Sequence, residues 1–281
     1  MSLKSIKDLQ NADNEEVRKL MSYMQIIPKI ESHLEDLNLK PSKRKLGVFS
    51  ASEIGSQGGK SLCGKYTMGC SRLLYHRYIG DKPQENLNPR TRRIFDTGSK
   101  VHEQLQGYLH EVSKATNGQE VFCDEVEINP RTPEATEAVR ELDIFTTTDG
   151  IYTIKTADSH IRFGLEIKSM KAEMFKNLNK AHSENIVQAH VYMGCLDLPA
   201  MAILYYNKND STMAEFCILF EQCIWDAIVK KIRYVIEFAI KETPPPRENG
   251  FHCKKCKYNY ICKPPKVSAK STRLIRKKFA L

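Results

Sequence analysis

The stretch DGIYTIKTADSHIRFGLEIK at residues 149–168 decides the predicted fold, because two apolar, alternating runs flank a polar segment. We interpret this stretch as a β-hairpin. Positions that pair across a symmetric hairpin have numbers with a constant sum, so pairing Asp149 with Glu166 centres the turn between Ala157 and Asp158. That point lies in the middle of the polar segment, where turn residues are expected. The hairpin therefore predicts that two carboxylates lie opposite each other on adjoining strands.

The charged residues of the second strand suggest a metal site. Side chains two positions apart on a strand share a face, so Glu166 and Lys168 point the same way, on the face that Asp149 shares across the ladder. Like charges that lie opposite each other in a sheet are destabilising, so the two carboxylates require a cation between them or a shared proton. Taken alone, an acid-x-Lys tripeptide is typical of a solvated strand face. The metal interpretation therefore depends on the flanking residues.

Length and composition suit either one medium-sized soluble domain with appendages or two small domains. The chain has 281 residues, of which 41% are hydrophobic, and no run approaches the ~18 apolar residues of a membrane span. The first residues lack the apolar core of a signal peptide, so we expect a cytoplasmic (intracellular) protein without membrane contact. We place the main domain at residues 48–262, between an N-terminal helical arm and linker (1–47) and a basic C-terminal tail (263–281).

The net charge of +9 is concentrated at one end of the chain, because residues 263–281 contain bases and no acid. A tail of this kind either contacts phosphate backbones or is simply solvated, and both interpretations stay open. A second basic run, formed by Arg90, Arg92 and Arg93, opens a predicted helix. We expect this better-ordered run to contact the phosphates of a nucleic acid.

Hydrophobic periodicity predicts alternating helices and strands. Helices are predicted at about residues 4–38 (in two pieces, broken at Pro28), 70–79, 90–113, 178–195 and 221–241, with a short helix capped by Ser50 or Ser52. Strands are predicted at about residues 119–128, 143–154, 162–169, 200–206 and 213–219. This order indicates an α/β fold class, a mixed central sheet flanked by helices.

The cysteines provide a second signal. Without an export signal, the nine cysteines of this chain favour ligands or buried thiols over disulfides. Cys253, Cys256 and Cys262 lie close together, and three such thiolates require a fourth ligand to complete a tetrahedral zinc site or an iron-sulfur cluster. We predict Cys70 as that ligand, with Cys63 as the alternative. The cysteines in apolar contexts are predicted to be small core residues: Cys123, Cys195, Cys217 and Cys223.

Together these motifs resemble the PD-(D/E)XK nuclease superfamily. They are similar to its RecB-like branch, which has an upstream helical histidine and a Gln-xxx-Tyr motif. The residues that carry this resemblance are, in chain order, His102, Asp149, Glu166, Lys168, Gln188 and Tyr192. The four cysteines that bracket them are similar to those of the iron-sulfur subgroup, which includes CRISPR-adaptation and AddB-type nuclease domains. The resemblance spans about residues 48–262.

The resemblance implies a restriction-endonuclease-like fold and a metal-dependent deoxyribonuclease. It implies that Mg²⁺ or Mn²⁺ is held by His102, Asp149, Glu166 and the backbone carbonyl of Ile167. Lys168 would position the attacking water or stabilise the developing negative charge, and Gln188 and Tyr192 would orient the substrate strand or Lys168. The cysteines would hold a [4Fe-4S] cluster, with Zn²⁺ as the alternative, in a C-terminal metal staple.

Two classes of function remain at this point. The first is an exonuclease that prefers single-stranded DNA ends in recombination, repair or replication, of cellular or phage origin, with endonuclease activity as an addition. The alternative is a catalytically silent, metal-stapled DNA-binding or assembly module. The intact set of acid, acid and lysine favours the enzyme. Three neighbouring residues are alternates for the site: Glu103, Glu184 and His190.

Overall fold

A computed structural model describes residues 15, 26–39, 45–56, 58–59, 64, 66–84 and 88–262. The described residues fall into two compact units. The first contains those within Met1–Arg44 and Asn86–Thr97, and the second contains those within Lys45–Glu85 and Gly98–Leu281. Three sequence predictions lie outside the described residues: the first piece of the N-terminal helix (Glu15 apart), Cys63 as a ligand, and the basic tail at 263–281.

The first unit contains helix α1 (Ile26–Leu39). The sequence predicts a helix break at Pro28, whereas the described helix contains this residue in its interval Ile26–Leu39. Within the described residues, the predicted break at Pro28 is therefore wrong.

The other elements follow in chain order. The helices are α2 (Ala51–Gly55), α3 (Ser71–Tyr78), α4 (Pro89–Ala115, which contributes residues to both units), α5 (Glu137–Glu141), α6 (Ala172–Phe175), α7 (Ser183–Leu196), α8 (Gln222–Ile240) and α9 (Asn259–Cys262), with a 3₁₀ turn at Phe251–Lys255. The strands are β1 (Glu120–Ile128), β2 (Thr146–Lys155), β3 (His160–Met170), β4 (Ala200–Asn207) and β5 (Met213–Leu219). None of the described helices is long and apolar enough to cross a membrane.

In the described part of the chain, the five strands form one sheet in the order β1-β2-β3-β4-β5. Strands β3 and β4 pair in parallel, and the other neighbours pair antiparallel. A parallel pair requires a crossover connection, which α7 supplies here. The predicted fold class, a mixed central sheet flanked by helices, is confirmed.

The hairpin of β2 and β3 has the register that the sequence predicts. Gly150 pairs with Leu165, and the pairing continues in step to Lys155 and His160. The backbone N–H of Thr156 donates to the Ser159 carbonyl across 2.8 Å and closes the turn. Extended by one position, this register places Asp149 opposite Glu166.

Both faces of the sheet are covered. One apolar core lies between the sheet and helices α2, α3, α7 and α8, and it includes Met170. A second core contains Val101 and Leu105 of α4 together with Leu165 and Ile167 of β3. Since alternate residues of a strand face opposite sides, the residues at 166 and 168 lie on the α7 face.

The prediction that four cysteines are small core residues is confirmed for Cys195, which is buried, and wrong for the other three. Cys123, Cys217 and Cys223 are exposed. Cys123 lies on β1 and Cys217 on β5, which are the two edge strands of the sheet, while Cys223 lies in the first turn of α8. Their apolar sequence neighbours pack inward and leave these positions on the outside.

Candidate active site

Asp149 lies where the ladder between β2 and β3 ends. Its Oδ2 atom accepts a hydrogen bond from the Ile167 N–H at 2.6 Å, so a side chain supplies what a backbone carbonyl would supply in a continued ladder. Its Oδ1 atom lies 3.1 Å from Nδ1 of His102, and its backbone carbonyl accepts from Gln106 of α4 at 2.8 Å. Contacts to two elements therefore fix the Asp149 carboxylate.

Glu166 is the most buried carboxylate of the site, with 3% of its surface exposed. Its Oε1 atom forms an ion pair with the ammonium group of Lys168. The same oxygen accepts a hydrogen bond from Nε2 of Gln188 at 2.9 Å. The Lys168 side chain is 29% exposed, so it connects the buried carboxylate to the surface.

Gln188 and Tyr192 lie one turn apart on α7 and act as a unit. Nε2 of Gln188 donates to the Tyr192 hydroxyl at 2.9 Å, and that hydroxyl donates to the Thr147 carbonyl of β2 at 3.0 Å. Tyr192 is only 2% exposed. The pair therefore ties the helix to both strands of the hairpin, and Gln188 is the member that reaches Glu166.

The charges in this site are concentrated and partly desolvated. Burial raises the pKa of Glu166, while the ammonium of Lys168 acts against this rise and the charge of Asp149 adds to it. Burial lowers the pKa of His102, but the hydrogen bond to Asp149 and the charges of Asp149 and Glu166 outweigh it, so that pKa is raised. The raised pKa of His102 reflects the negative charges of the two carboxylates near it, whereas the raised pKa of Glu166 reflects mainly its burial.

This environment fits a hard divalent cation. Carboxylate oxygens are the ligands that Mg²⁺ and Mn²⁺ prefer, and a cation would relieve the repulsion between Asp149 and Glu166. In the ranges that the structure describes, no group of three or more His, Cys, Asp or Glu side chains is arranged to hold a metal ion. The support for a cation site thus comes from the kinds of ligand present, two carboxylates, and not from an observed coordination geometry. The roles of His102 and of the Ile167 carbonyl as ligands stay predictions.

The four predicted cluster ligands line one pocket. Cys70 lies at the N-terminal end of α3, and its partners Cys253, Cys256 and Cys262 follow α8. Burial raises the pKa of the Cys256 thiol, and the neighbouring Cys262 and Cys253 raise it further, as expected for thiols that lie close together. The structure thus brings together the cysteines that the sequence selected.

Two of the alternates, Glu103 and His190, have hydrogen-bond or ion-pair partners outside the predicted site residues. Glu103 is exposed and pairs with Lys100 at 2.6 Å. His190 is buried, with Nδ1 at 2.7 Å from the Ile186 carbonyl and Nε2 accepting from the Glu221 N–H at 3.2 Å, so both ring nitrogens are engaged. These contacts engage Glu103 and His190 with other groups, and the choice between them and the predicted site residues stays a prediction.

Glu184 lines a cavity of about 490 Å³ that sequence reasoning missed. The residues that line it are Ser52, Ser56, Glu184, Asn185 and Gln188. From the sequence, Ser50 or Ser52 is expected only to cap a helix. Ser50 does occupy the N-cap position of α2, but its hydroxyl donates to the Glu53 side chain at 3.0 Å and does not cap a backbone N–H. Because Gln188 belongs to both, the cavity borders the Glu166 site.

The basic run predicted to bind DNA lies in the first unit. It opens helix α4 as predicted, with Arg90 and Arg93 exposed and Arg92 half-buried. Arg93 pairs with Glu31 at 3.3 Å, which neutralises part of its charge. A phosphate-binding role for this run stays a prediction.

No family model matches the chain, and no curated protein matches it. Among solved structures, the chain is similar to SSO0001, with 15% identity over 85% of this chain and 96% of that one, at a TM-score of 0.44. It is also similar to the alkaline exonuclease LHK-Exo from Laribacter hongkongensis, with 15% identity over 70% of this chain and 89% of that one, at a TM-score of 0.42. The complex of LHK-Exo with dAMP gives 16% identity and a TM-score of 0.44 over the same shares. At these values the function must be inferred from the residues of the chain itself.

Proposed function

We propose that the chain is a divalent-metal-dependent deoxyribonuclease that acts as an exonuclease on single-stranded DNA ends, in recombination, repair or replication. One observation carries the proposal: Asp149, Glu166 and Lys168 converge where the ladder between β2 and β3 ends, and Gln188 of α7 donates a hydrogen bond to Glu166. The charges of a solvated strand face stay in contact with water, whereas Glu166 is only 3% exposed. The burial of this carboxylate favours a reactive centre.

Mg²⁺ or Mn²⁺ would be held by Asp149 and Glu166, with His102 and the Ile167 carbonyl completing the set. When bound, such an ion neutralises the charge of the phosphodiester and lowers the pKa of a water molecule. The chain fixes both carboxylates before substrate arrives, since Ile167 and Gln188 donate to them at 2.6 Å and 2.9 Å. Such preorganisation spares the reaction the cost of reorienting these groups.

Lys168 supplies the positive charge at the open side of the site. Its ammonium contacts Glu166 and retains access to solvent through a side chain that is 29% exposed. From this position the ammonium can orient a water molecule toward the phosphorus and stabilise the negative charge that develops on the phosphoryl oxygens. Gln188 holds Glu166 in place during these steps.

The decisive experiment combines two substitutions with a matched control. We expect Glu166→Gln and Lys168→Ala each to lower the cleavage rate by ~10²-fold or more, because each removes a charge that acts at the reacting phosphate. Glu103→Gln, on the exposed pair with Lys100, serves as the control and should leave the rate unchanged. The assay follows end-labelled single and double strands with Mg²⁺ or Mn²⁺.

Each outcome of that assay has a clear meaning. Full activity in both variants would exclude this site. DNA binding without cleavage by the unmodified protein would favour the silent-module alternative. Equal rates on single and double strands, or products from within the strand, would contradict the single-stranded exonuclease proposal while keeping the nuclease.

We infer that the four cysteines form a separate, structural metal site. The donor set consists entirely of thiols, which suits a [4Fe-4S] cluster or Zn²⁺, and the resemblance supports iron. Anaerobic purification with metal analysis and a visible spectrum tests this directly. A brown protein with iron and sulfide supports the cluster, a colourless protein with zinc supports the alternative, and a metal-free protein contradicts both.

A further inference from the structure

Glu248 forms a buried polar cluster next to the cysteine pocket. One of its carboxylate oxygens, Oε1, accepts hydrogen bonds from the Ser71 N–H at 3.1 Å and from the Ser71 hydroxyl, and it pairs with Lys231 at 3.1 Å. The side chains of Lys231 and Glu248 are 4% and 14% exposed. A single oxygen therefore joins α3, α8 and the segment that follows α8.

This cluster touches the cysteine site from two sides. Ser71 is the first residue of α3 and directly follows Cys70. The Glu248 carboxylate satisfies an N–H at the start of that helix, where negative charge is favourable. The backbone carbonyl of Glu248 also lies 3.7 Å from the Cys253 Sγ atom. Glu248 thus contacts Cys253 itself and the immediate neighbour of Cys70.

A second set of contacts also connects α3 to the segment after α8. The Nε atom of Arg72 donates to the Pro245 carbonyl at 2.6 Å, and its Nη1 atom lies 3.7 Å from the Cys262 Sγ atom. The two sets of contacts involve successive residues of α3, Ser71 and Arg72, and different residues of the segment 245–262. Together they fix the register of this segment along the helix.

Stability alone does not explain a buried ion pair here. Replacing such a pair with apolar residues of similar volume is often neutral or stabilising, because desolvation offsets much of the charge attraction. The presence of these charges requires another reason, and the contacts of Glu248 with Cys253 and with the neighbour of Cys70 provide one. An apolar pair could fill the space, but it could not accept a hydrogen bond from the Ser71 N–H.

We propose that Glu248 and Lys231 are positioning residues for the cysteine metal site, and that the pair sets the alignment of Cys70 with Cys253, Cys256 and Cys262. This inference rests on the proposed cysteine site and is independent of the nuclease proposal. On this proposal, Glu248 and Lys231 help the protein to retain the metal although neither side chain is a ligand. Loss of such supporting groups lowers metal affinity by ~10–100-fold in known metal sites.

The test separates folding from metal retention. The double variant Glu248→Met/Lys231→Met removes both charges and keeps the volume, so we expect the circular dichroism of the unmodified protein but a ~10–100-fold weaker metal affinity. Affinity is measured on the purified full chain by chelator competition with Zn²⁺, and Co²⁺ absorption reports the number of thiolate ligands. Glu141→Gln/Arg233→Met is the control, since that pair also involves α8 but is exposed.

Ser71→Ala provides a milder variant in case the double variant does not fold. It removes the hydroxyl donor alone, and we expect a smaller loss of Zn²⁺ affinity in a folded protein. Wild-type affinity in a folded double variant, or in Ser71→Ala if the double variant fails to fold, would overturn the inference. An unmodified protein that contains no iron and binds neither Zn²⁺ nor Co²⁺ would overturn the cysteine site and the inference together. The DNA cleavage assay is scored separately and reports on the nuclease proposal.

Discussion

The carboxylate site and the cysteine site are built in opposite ways. Asp149 and Glu166 come from adjoining strands of one hairpin, so local pairing brings them together. Cys70 and Cys253 come from distant parts of the chain, and the cluster around Glu248 joins their segments. The first site is charged and fixed by hydrogen bonds, whereas the second consists of thiols around a pocket. We therefore expect changes at the first site to alter rate and changes at the second to alter stability.

The largest effect is expected from removing a thiol of the cysteine pocket. Cys256→Ser leaves three thiols, so the metal should be held weakly or lost. If metal is normally present at ~1,000 times its Kd, its loss costs about 4 kcal/mol of unfolding free energy. A change of that size lowers Tm by on the order of 10 °C in a chain of this length.

Cys223→Ser is the matched control, because Cys223 is exposed and lies outside the pocket. Calorimetry and metal analysis should show no change in this variant. The comparison between the two sites would fail if Cys256→Ser lowered the cleavage rate at a temperature where the protein stays folded and its Tm stayed the same.

A smaller effect is expected beside Asp149, at Gly150. An added Cβ atom at this position would overlap the Phe122 ring, so Gly150→Ala forces that ring to move. Overpacking of this kind costs ~1–3 kcal/mol of unfolding free energy. We expect a lower cleavage rate as well, since Asp149 directly precedes Gly150. Gly107→Ala is the control: nothing lies within 4 Å of its added Cβ, and helix α4 should gain ~0.5–1 kcal/mol. Denaturant unfolding and the cleavage rate measure both effects.

The carboxylate site was predictable from sequence because strand pairing is local. The turn centred between Ala157 and Asp158 fixes the register, and the register alone places Asp149 opposite Glu166. The spacing of Gln188 and Tyr192 likewise follows from one helical turn. These are short-range geometric constraints, and the structure contains them as predicted.

The environment of the second site was not predictable in the same way. Nothing in the local sequence connects Lys231 with Ser71, since α8 and α3 meet only through tertiary packing. The same limit explains the wrong burial of Cys123 and Cys217: their strands have apolar neighbours, but the strand order places both at the edges of the sheet. The position of a strand in the sheet decides whether its side chains are buried, and the hydrophobic periodicity of the sequence does not give that position.

The buried charge of Glu166 predicts that the stability of the metal-free protein depends on pH. Burial raises the native pKa of Glu166 above its ordinary value of 4.5, so the native state binds more protons than the unfolded state in the window above that value. Stability of the metal-free protein should therefore fall as pH rises through this window. Glu166→Gln should remove on the order of 1 kcal/mol of this fall between about pH 5 and about pH 8.

Denaturant unfolding in the presence of a chelator measures this dependence. Mg²⁺ added in excess of the chelator should restore stability at the higher pH in the unmodified protein and leave Glu166→Gln unaffected, since the cation needs the charged carboxylate. A pH profile that is identical in the two proteins would show that Glu166 ionises freely. That result would remove the contrast between a charged site and a thiol site.

The smallest effect is expected at Tyr192, which sequence reasoning placed among the catalytic residues. Its hydroxyl accepts from Gln188 and donates to the Thr147 carbonyl, and burial raises its pKa, so the hydroxyl stays protonated at neutral pH. Tyr192→Phe should cost ~0.5–1.5 kcal/mol of unfolding free energy through the lost hydrogen bonds. The cleavage rate should fall only a few-fold, because Gln188 still reaches Glu166. Gln188→Ala is the comparison and should reduce the rate more than Tyr192→Phe does. A large loss of rate in Tyr192→Phe at unchanged stability would instead mean that Tyr192 contacts the substrate, and that α7 takes part in the reaction rather than only holding the carboxylate in place.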